Sequence, residues 1–427
     1  MFEVKEKPRL VENAFLISVV LREDEKQEAE SLLDELSELV QNLGIAVRAR
    51  TVVRTRKKFP GHILGKGKLQ EIVSQVRDLN CDVIIFDNEI SPGQQRNWEE
   101  EAKVLVIDRH EVILDVFAER ARTKEATLQV RLARLEYSLP RLKRAWTHLD
   151  RQRGGGVTQR GEGEAQIELD QRMLRDKIAS TKREIAQVSV RRSTSRKKRQ
   201  RIPLPTLAIV GYTNAGKSTL LNCMTGSNVL SEDKLFATLD PTSRKVRFPS
   251  GRTVVLTDTV GFIRKLPHRL VDAFKATLEE ALVADLLLHV VDLSNDEFEE
   301  QMITTVEVLK ELGAADKEIL TVYNKIDQVG DAMVRIKARG LDSNGCFVSS
   351  KTGQGIDDLT LLAEGMLEAG QSPALYLVPH AKYSLVSRLR EQGALITEEV
   401  EEKGVAVTAS PRGQLAHQME EFAQPAS

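Results

Sequence analysis

The residues best placed to do chemistry lie between Leu207 and Asn222, in the sequence LAIVGYTNAGKSTLLN. Apolar residues with strand character lead into Gly211, and Gly216, Lys217 and Ser218 begin a segment with helical character. The stretch therefore matches the GxxxxGK[ST] pattern of a phosphate-binding loop, between the strand and the helix that such a loop requires. We predict that Lys217 binds the β- and γ-phosphates and that the Ser218 hydroxyl binds Mg²⁺, next to the positive end of the helix. The other predicted contacts of this loop are Tyr212, Thr213, Asn214, Ala215 and Thr219.

A polar loop that can respond to the nucleotide follows at 236–242, with the sequence FATLDPT. A threonine in such a first switch can complete the coordination shell of Mg²⁺. We predict Thr238 for this role, and Thr242 is the alternative. The predicted nucleotide contacts in this loop are Phe236, Ala237, Thr238 and Leu239.

A second switch is indicated by the sequence DTVG at 258–261, at the end of a predicted strand. Asp258 can bind Mg²⁺ through water, and a γ-phosphate can draw in the Gly261 N–H. Thr259 and Val260 complete this contact. The predicted catalytic residues are Lys217, Thr238 and Gly261, and the predicted metal ligands are Ser218, Thr238 and Asp258.

Phe262 stands where a glutamine often orients the attacking water in this class of nucleotide hydrolase. A phenyl ring cannot polarise water. Either Phe262 only packs beneath the switch, or unaided hydrolysis is slow and a partner supplies the missing groups.

A preference for guanine is indicated by the sequence NKID at 324–327. A carboxylate at Asp327 can accept hydrogen bonds from N1–H and the 2-amino group of guanine, whereas adenine offers neither donor there. Lys325 can cover the base and Asn324 can tie loops together. A clamp for the guanine O6 atom is predicted at Ser349, Ser350 and Lys351. Because these four signals occur in order, each at the end of a strand, we predict an α/β domain that binds GTP, GDP and Mg²⁺.

Four further segments surround this GTPase domain, which we place at 206–369. Residues 1–109 alternate apolar strands with helices and predict a small parallel α/β domain. Its loop from Gly61 to Lys68 can contact the phosphate of a nucleotide or of RNA, although it lacks the full spacing of a phosphate cradle. A basic linker is predicted at 196–205, and residues 370–427 suggest a small α+β domain of β-α-β-β-α order.

One very long helix is predicted from His110, followed by a second helix, and together they form a hairpin at 110–195. Leucines, with Trp146 at one position, repeat from Leu128 to Leu149 at alternating spacings of four and three residues, as in a coiled coil. Pro140 is expected to kink or break this helix. A weaker repeat runs from Leu174 to Val188. The first seam would be about 33 Å long.

The glycine-rich tip of this hairpin is basic, with six Lys or Arg residues and one acid between Arg141 and Arg160. A positive loop at the end of a long arm suits a cavity lined by phosphates, although many such loops are merely solvated. The linker sequence RRSTSRKKRQR at 191–201 has the same two interpretations. The RNA-contact candidates are Arg151, Arg153, Gly154, Gly155, Gly156, Gln159 and Arg160.

Composition narrows the class of protein. The 62 basic and 63 acidic residues nearly cancel, so any affinity for nucleic acid must come from local clusters. The longest apolar run, Ala281 to Val291, is too short to cross a bilayer. Without a signal peptide at Met1 and with three cysteines, the chain is expected to be cytoplasmic, and we expect a monomer.

Three motifs together resemble the HflX family of ribosome-associated GTPases: DTVGF at 258–262, FATLDPT at 236–242 and GGGVTQRGEGE at 154–164. The resemblance extends over residues 10–370. It implies binding to the large ribosomal subunit and the 70S ribosome, with the hairpin tip approaching the peptidyl-transferase region. It further implies a low intrinsic GTPase rate that ribosomes stimulate, and the separation of stalled ribosomes into subunits under stress such as heat shock.

Two functions from other classes remain open at this point. An RNA-modifying enzyme gated by GTP would need a nucleophile or a second cofactor site, and the sequence has no Cys/His cluster to supply one. An RNA-remodelling ATPase could use the loop from Gly65 to Lys68. Survival of ATP turnover in Lys217→Ala would favour that ATPase.

Overall fold

The structure is a computed structural model. It describes residues 11–145, 169–188, 204–226, 235–249, 251–265, 280–369, 374–391, 394–401, 403–411 and 414–424. The chain divides by its contacts into two units. The first unit contains Met1–Gln187, Glu232–Leu239 and Arg264–Phe274, and the second contains Val188–Ser231, Asp240–Ile263 and Lys275–Ser427.

The first unit is built on a parallel sheet of order β2-β1-β3-β4. Its strands are β1 (Asn13–Val20), β2 (Ala46–Arg54), β3 (Val83–Phe86) and β4 (Leu105–Asp108). The helices that connect these strands are α1 (Lys26–Asn42), α2 (Lys66–Asp78) and α3 (Pro92–Ala102). β1 and β3 are buried along nearly their whole length, as expected for inner strands of a parallel sheet. The parallel α/β fold predicted from the sequence is therefore confirmed.

The segment from Gly61 to Lys68 contains the end of the loop between β2 and α2 and the first residues of α2. Phe59 and Ile63 form an antiparallel bridge, and Gly65 is the N-cap of α2 with a φ of −71°. A Cβ at Gly67 would meet nothing within 4 Å. The backbone of these two glycines therefore does not take the left-handed angles of a phosphate cradle.

The long helix predicted from His110 is in fact two helices, which corrects the sequence prediction. Helix α4 (Arg109–Arg120) ends where Ala121 becomes extended, and α5 (Lys124–Ala145) begins after Thr123. The Thr123 hydroxyl accepts a hydrogen bond from the Ala126 N–H at 3.2 Å, and such a cap favours a helix start there over continuation. Pro140 lies inside α5, which continues past it, so the predicted break does not occur there.

Helix α5 is fastened to the end of the sheet. The Tyr137 hydroxyl donates to Asp108 Oδ1 at 2.8 Å, and Arg141 donates to Asp108 Oδ2 at 3.1 Å and to the Ile90 carbonyl at 3.2 Å. A second helix, α6, spans 169–188, and its Lys182 pairs with Glu136 of α5 at 2.8 Å. The Lys182–Glu136 pair joins the two helices of the predicted hairpin.

The second unit contains a six-stranded sheet of order β10-β9-β8-β5-β7-β6, in which only β6 is antiparallel to its neighbour. Its strands are β5 (Thr206–Gly211), β6 (Thr242–Arg247), β7 (Thr253–Asp258), β8 (Leu286–Asp292), β9 (Ile319–Asn324) and β10 (Cys346–Phe347). Its helices are α7 (Lys217–Thr225), α8 (Phe298–Glu311), α9 (Ala332–Leu341) and α10 (Ile356–Ala369). After β5 the chain forms β6 and β7 on one side of β5, and it then crosses to form β8 on the other side of β5. This switch of direction is where open α/β sheets bind ligands.

The C-terminal part of the second unit has the predicted β-α-β-β-α order. It consists of β11 (Ala374–Val378), α11 (Tyr383–Glu391), β12 (Leu395–Glu401), β13 (Gly404–Ala409) and α12 (Gln414–Met419). The sheet order is β11-β13-β12, and its apolar residues form a core of their own. Over the part of the chain that the structure describes, no helix is both long and apolar enough to span a membrane.

Candidate nucleotide-binding site

The phosphate loop follows β5, the strand between β7 and β8 in the sheet. Gly216 has a φ of +92°, and a Cβ there would collide with the Asn324 amide nitrogen. Only glycine satisfies both the backbone angle and the close approach. The sequence therefore predicted the loop correctly, and the structure adds that Gly216 makes room for Asn324.

Lys217 begins helix α7 and is buried, with 6% of its surface exposed. Its Nζ atom donates a hydrogen bond to the Tyr212 carbonyl oxygen at 2.6 Å. Burial lowers the pKa of Lys217 to about 8, while the negative charge of Asp258 acts in the opposite direction. A phosphate group would supply the negative charge that favours the protonated ammonium in this site.

Ser218, at the start of α7, meets Asp258, at the carboxyl end of β7. The Ser218 hydroxyl donates to Asp258 Oδ2 at 2.6 Å, and the Asp258 carboxylate is fully buried at the end of β7. A serine hydroxyl and one carboxylate are hard oxygen ligands, and Mg²⁺ is commonly held by such a pair together with water and phosphate oxygens. The residues present therefore fit the predicted metal.

Gly261 lies against the phosphate loop. A Cβ at Gly261 would stand 2.7 Å from the Thr213 Cα and 2.8 Å from Lys217 Nζ, so no larger residue fits without displacement. Thr259 is buried, and its hydroxyl donates to the Ile209 carbonyl at 2.7 Å, which fixes the chain just before Val260. The Gly261 backbone is thus positioned beside the lysine that we predict to bind the γ-phosphate.

Phe262 is buried with 1% of its surface exposed. Its N–H donates to the Gly211 carbonyl at 3.1 Å, and its carbonyl accepts from the Thr213 N–H at 2.7 Å. The backbone of the second switch therefore pairs with the phosphate loop. The ring is buried, which both sequence interpretations allow.

Asn324 links the phosphate loop to the predicted guanine side. Its Nδ2 atom donates to the Ala215 carbonyl at 2.8 Å, and its Oδ1 atom accepts from both the N–H and the hydroxyl of Ser350 at 2.9 Å. The side chain is 1% exposed. The role predicted for it, tying loops together, matches these contacts.

Asp327 accepts a 2.6 Å hydrogen bond from the Ser349 hydroxyl at Oδ1. Lys325 has a φ of +62° and pairs through Nζ with Asp292 Oδ2 at 2.7 Å. Sequence reasoning did not assign Asp292. The sequence could have indicated Asp292, because it is a carboxylate at the end of a buried strand. In the sheet it lies in register with Asn324. Lys351 follows Ser350 and is exposed.

The first-switch candidates divide between the two units. Phe236, Ala237, Thr238 and Leu239 belong by their contacts to the first unit, whereas Ser218 and Asp258 belong to the second. Thr242, the alternative Mg²⁺ ligand, begins β6 and lies opposite Asp258 in the β6–β7 ladder. The structure therefore brings the phosphate-loop, second-switch and guanine-side candidates together in one unit.

The RNA-contact candidates of the hairpin tip lie outside the described residues. They are Arg151, Arg153, Gly154, Gly155, Gly156, Gln159 and Arg160. The basic sequence at 191–201 lies outside them as well.

Family models match three consecutive parts of the chain. A model described as GTP-binding GTPase N-terminal matches residues 30–118, and one described as GTP-binding GTPase Middle Region matches residues 120–199. A third, described as 50S ribosome-binding GTPase, matches residues 206–325, which contain the phosphate loop and the DTVG sequence and end within NKID.

Curated relatives cover nearly the whole chain. The chain is 46% identical over 420 residues to GTPase HflX of Akkermansia muciniphila, covering 96% of each chain. It is 40% identical over 394 residues to GTPase HflX of Escherichia coli K12, covering 92% of each. Among solved structures, the crystal structure of SsGBP in complex with GDP is 26% identical and covers 84% of this chain and 99% of that one, with a TM-score of 0.47.

Proposed function

We propose a ribosome-directed molecular switch as the function of this chain, which belongs to the HflX family of GTPases. The chain is a GTPase that uses GTP, GDP and Mg²⁺, and its nucleotide domain is a P-loop GTPase domain. We propose which residues bind the nucleotide and Mg²⁺, which partner the chain binds, and what GTP hydrolysis brings about.

In the proposed site, Lys217 binds the β- and γ-phosphates and Ser218 and Asp258 hold Mg²⁺. Mg²⁺, when bound, neutralises charge that develops on the phosphate oxygens during hydrolysis. Gly261 presents its N–H to the γ-phosphate, and Asp327 reads the guanine edge. The single observation that carries the proposal is the double link made by Asn324, which joins Ala215 of the phosphate loop to Ser350 beside the base-reading residues.

Hydrolysis by the isolated chain is proposed to be slow. The residue after DTVG is a buried phenylalanine, so the side chain at that position cannot orient the attacking water. Activating partners of such GTPases commonly accelerate the reaction by about 10³ to 10⁵. A turnover of tens per second by the purified chain alone would contradict this part of the proposal.

The proposed partner is the large ribosomal subunit, as isolated subunit and within the 70S ribosome. Two observations support it: the matched family description names a 50S ribosome-binding GTPase, and the described hairpin stem leads to a basic, glycine-rich tip sequence. We propose that the tip contacts ribosomal RNA. The chain, acting in the cytoplasm as a monomer, would separate stalled ribosomes into subunits, and hydrolysis on the ribosome would release it.

Co-sedimentation with purified subunits tests the partner. We expect the chain to sediment with the large subunit when loaded with a non-hydrolysable GTP analogue and to be released with GDP. Deletion of residues 153–163 is expected to preserve GTP affinity and to abolish ribosome-stimulated hydrolysis. Full stimulation of the deletion variant would rule out the tip as the RNA contact, and sedimentation independent of the nucleotide would rule out the switch.

A further inference from the structure

A buried guanidinium in the first unit is used by none of the roles proposed above. Arg109, the first residue of α4, is 1% exposed. Its Nη2 atom pairs with Glu35 Oε2 and its Nη1 atom with Asp87 Oδ1, each at 3.0 Å. Glu35 lies on α1, and Asp87 follows the carboxyl end of β3. Burying the Arg109 guanidinium with two carboxylates has a high desolvation cost. The other contacts of this cluster therefore matter, because they can offset that cost.

The chain just after the second switch completes this cluster. Arg264 donates through Nε to Glu35 Oε2 at 3.3 Å and through Nη2 to the Ser31 hydroxyl at 2.7 Å. Lys265 Nζ binds Asp87 Oδ2 at 2.7 Å. Arg109 also donates to the carbonyl oxygen of Arg264 at 3.3 Å. The rest of the first unit therefore binds the 264–265 segment through both of its side chains and through one backbone carbonyl.

The charge balance explains why this segment is bound and does not merely lie nearby. Arg109 alone faces two carboxylates, Glu35 and Asp87, whose side chains are 8% and 0% exposed. One cation between two buried anions leaves a negative charge uncompensated, which is unfavourable in a low-dielectric environment. Arg264 places a second cation beside Glu35, and Lys265 places one beside Asp87.

Helix α4 also contacts the first-switch sequence. The rings of Phe117 on α4 and Phe236 meet edge to face, with centroids 4.6 Å apart and an interplanar angle of 79°. Phe236 is 2% exposed and lies two residues before Thr238. One helix of the first unit thus contacts the first residue of the 236–242 sequence and a residue three positions after Gly261.

Both contacted segments contain a strained residue. Phe236 and Lys265 each have a φ of +55°, in the left-handed region that side chains other than glycine and asparagine disfavour. Such conformations persist when the surrounding contacts determine them, and they concentrate at switches. Here the contacts are the Phe117 ring and the Asp87 carboxylate.

We propose that helix α4 positions both switches of the GTPase, through Arg109 and its carboxylate partners at the second switch and through Phe117 at the first. The inference rests on the proposed function, because it takes 236–242 and 258–261 as the segments that respond to GTP. Arg264 is three residues after Gly261, so anything that fixes Arg264 restricts Gly261 through the chain. Arg109 and Phe117 are positioning residues that need not touch the nucleotide.

The direction of the effect follows from Gly261. In the structure with the 264–265 segment held, Gly261 stands against Lys217, where a γ-phosphate can reach both groups and GDP cannot. Holding the segment therefore favours the triphosphate. Loosening it lowers affinity for GTP relative to GDP, since a ligand shifts a conformational equilibrium only by its differential affinity for the two states.

The experiment compares the dissociation constants of a non-hydrolysable GTP analogue and of GDP in the full chain. The informative variants are Arg264→Gln and Lys265→Gln, which remove one cation each from partly exposed side chains. We expect the ratio of the two constants to shift about fivefold or more against the analogue, within the usual range for coupled sites. Affinity for GDP is expected to change less than twofold.

Three variants separate positioning from damage. Lys265→Arg keeps the charge and is expected to restore most of the wild-type ratio. Lys245→Gln removes an exposed lysine from β6 and is the matched control, with an unchanged ratio. Arg109→Lys tests the buried partner, provided that its thermal unfolding shows a folded chain; if it does not fold, the Arg264 and Lys265 variants decide the question.

The outcomes distinguish this inference from the proposed function. A ratio that changes less than twofold in both Arg264→Gln and Lys265→Gln, or that shifts towards the analogue, overturns the positioning role of α4. A wild-type chain that binds the analogue but does not sediment with ribosomes contradicts the proposed function. The ratio of the analogue and GDP dissociation constants still tests the α4 contacts in that case.

Discussion

The Ser218 hydroxyl donates a 2.6 Å hydrogen bond to Asp258 Oδ2, although forty positions separate the two residues along the chain. β5 and β7 are adjacent parallel strands, so the start of α7 and the end of β7 meet at the same edge of the sheet. This pairing holds the two proposed Mg²⁺ ligands together. Preorganised ligands spare the reaction the cost of bringing them together.

Ser218→Ala is expected to raise the Mg²⁺ concentration needed for half-maximal GTP hydrolysis by about tenfold or more, because the metal loses a direct oxygen ligand. Ser218→Thr keeps a hydroxyl that the GxxxxGK[ST] pattern allows and is expected to stay within about threefold of wild type. The measurement is a Mg²⁺ titration of hydrolysis at saturating GTP. An unchanged midpoint in Ser218→Ala would exclude the hydroxyl as a ligand.

Asp327→Asn is expected to exchange base specificity. The carboxylate accepts from the N1–H and 2-amino groups of guanine, whereas an amide can donate to the 2-oxo group of xanthine. We expect GTP affinity to fall about a hundredfold or more and xanthosine triphosphate to bind better than GTP, since an unmatched buried polar group is costly. Ser349→Ala is the control: it removes only the 2.6 Å hydrogen bond to Asp327 and should weaken GTP less, without changing the preferred base. Competition binding with both nucleotides measures the exchange.

Gly261→Ala is expected to separate binding from hydrolysis. Its Cβ would stand 2.7 Å from the Thr213 Cα, so the backbone beside the proposed γ-phosphate site must move. A displacement of about 1 Å can cost about a hundredfold in rate, and we expect at least a tenfold loss of hydrolysis with GDP affinity within about threefold of wild type. Gly340→Ala in α9 is the control, because a Cβ there meets nothing within 4 Å. Equal single-turnover rates for Gly261→Ala and wild type would refute this role.

Glu111 on α4 predicts a dependence of stability on pH. Burial raises its pKa from 4.5 to about 7, reinforced by the charges of Asp108 and Asp115 and opposed by Arg141 and a Tyr137 hydrogen bond. The folded state therefore holds a proton that the unfolded chain releases. Stability from this group is complete below about pH 4.5, falls as the pH rises towards 7 and then stays constant.

The variant Glu111→Gln removes this titration. Relative to it, the wild type is expected to lose up to about 3 kcal/mol of unfolding free energy between pH 4.5 and 7, at 1.36 kcal/mol per pKa unit. Urea unfolding followed by the fluorescence of Trp98, in a Trp146→Phe background, reports on the first unit. Glu119→Gln, exposed on the same helix, is the control and should run parallel to wild type. Parallel curves for Glu111→Gln and wild type would show that Glu111 does not titrate in this range.

The sequence alone predicted those parts of the fold in which the residue pattern and the local backbone geometry agree. Gly216, Lys217 and Ser218 occupy a loop whose angles only certain residues adopt, and β1, β3, β5 and β8 are continuous apolar runs bounded by polar residues. The break at Ala121 was missed because the helix indicated by the repeat, which begins only at Leu128, was extended back to His110, although Thr123 as a cap with Glu125 in the first turn is a recognisable helix start.

Amino-acid order alone determined the chemistry of the nucleotide site, because phosphate, Mg²⁺ and guanine each demand particular residue types at short, fixed spacings. Tertiary structure alone decided which distant charges meet: Arg109 with Glu35, Asp87 and Arg264, and Lys325 with Asp292. The reason is physical. A local motif is set by backbone angles over a few residues, whereas a buried ion pair depends on which strand ends and helix starts the whole fold places side by side, and no spacing in the sequence encodes that.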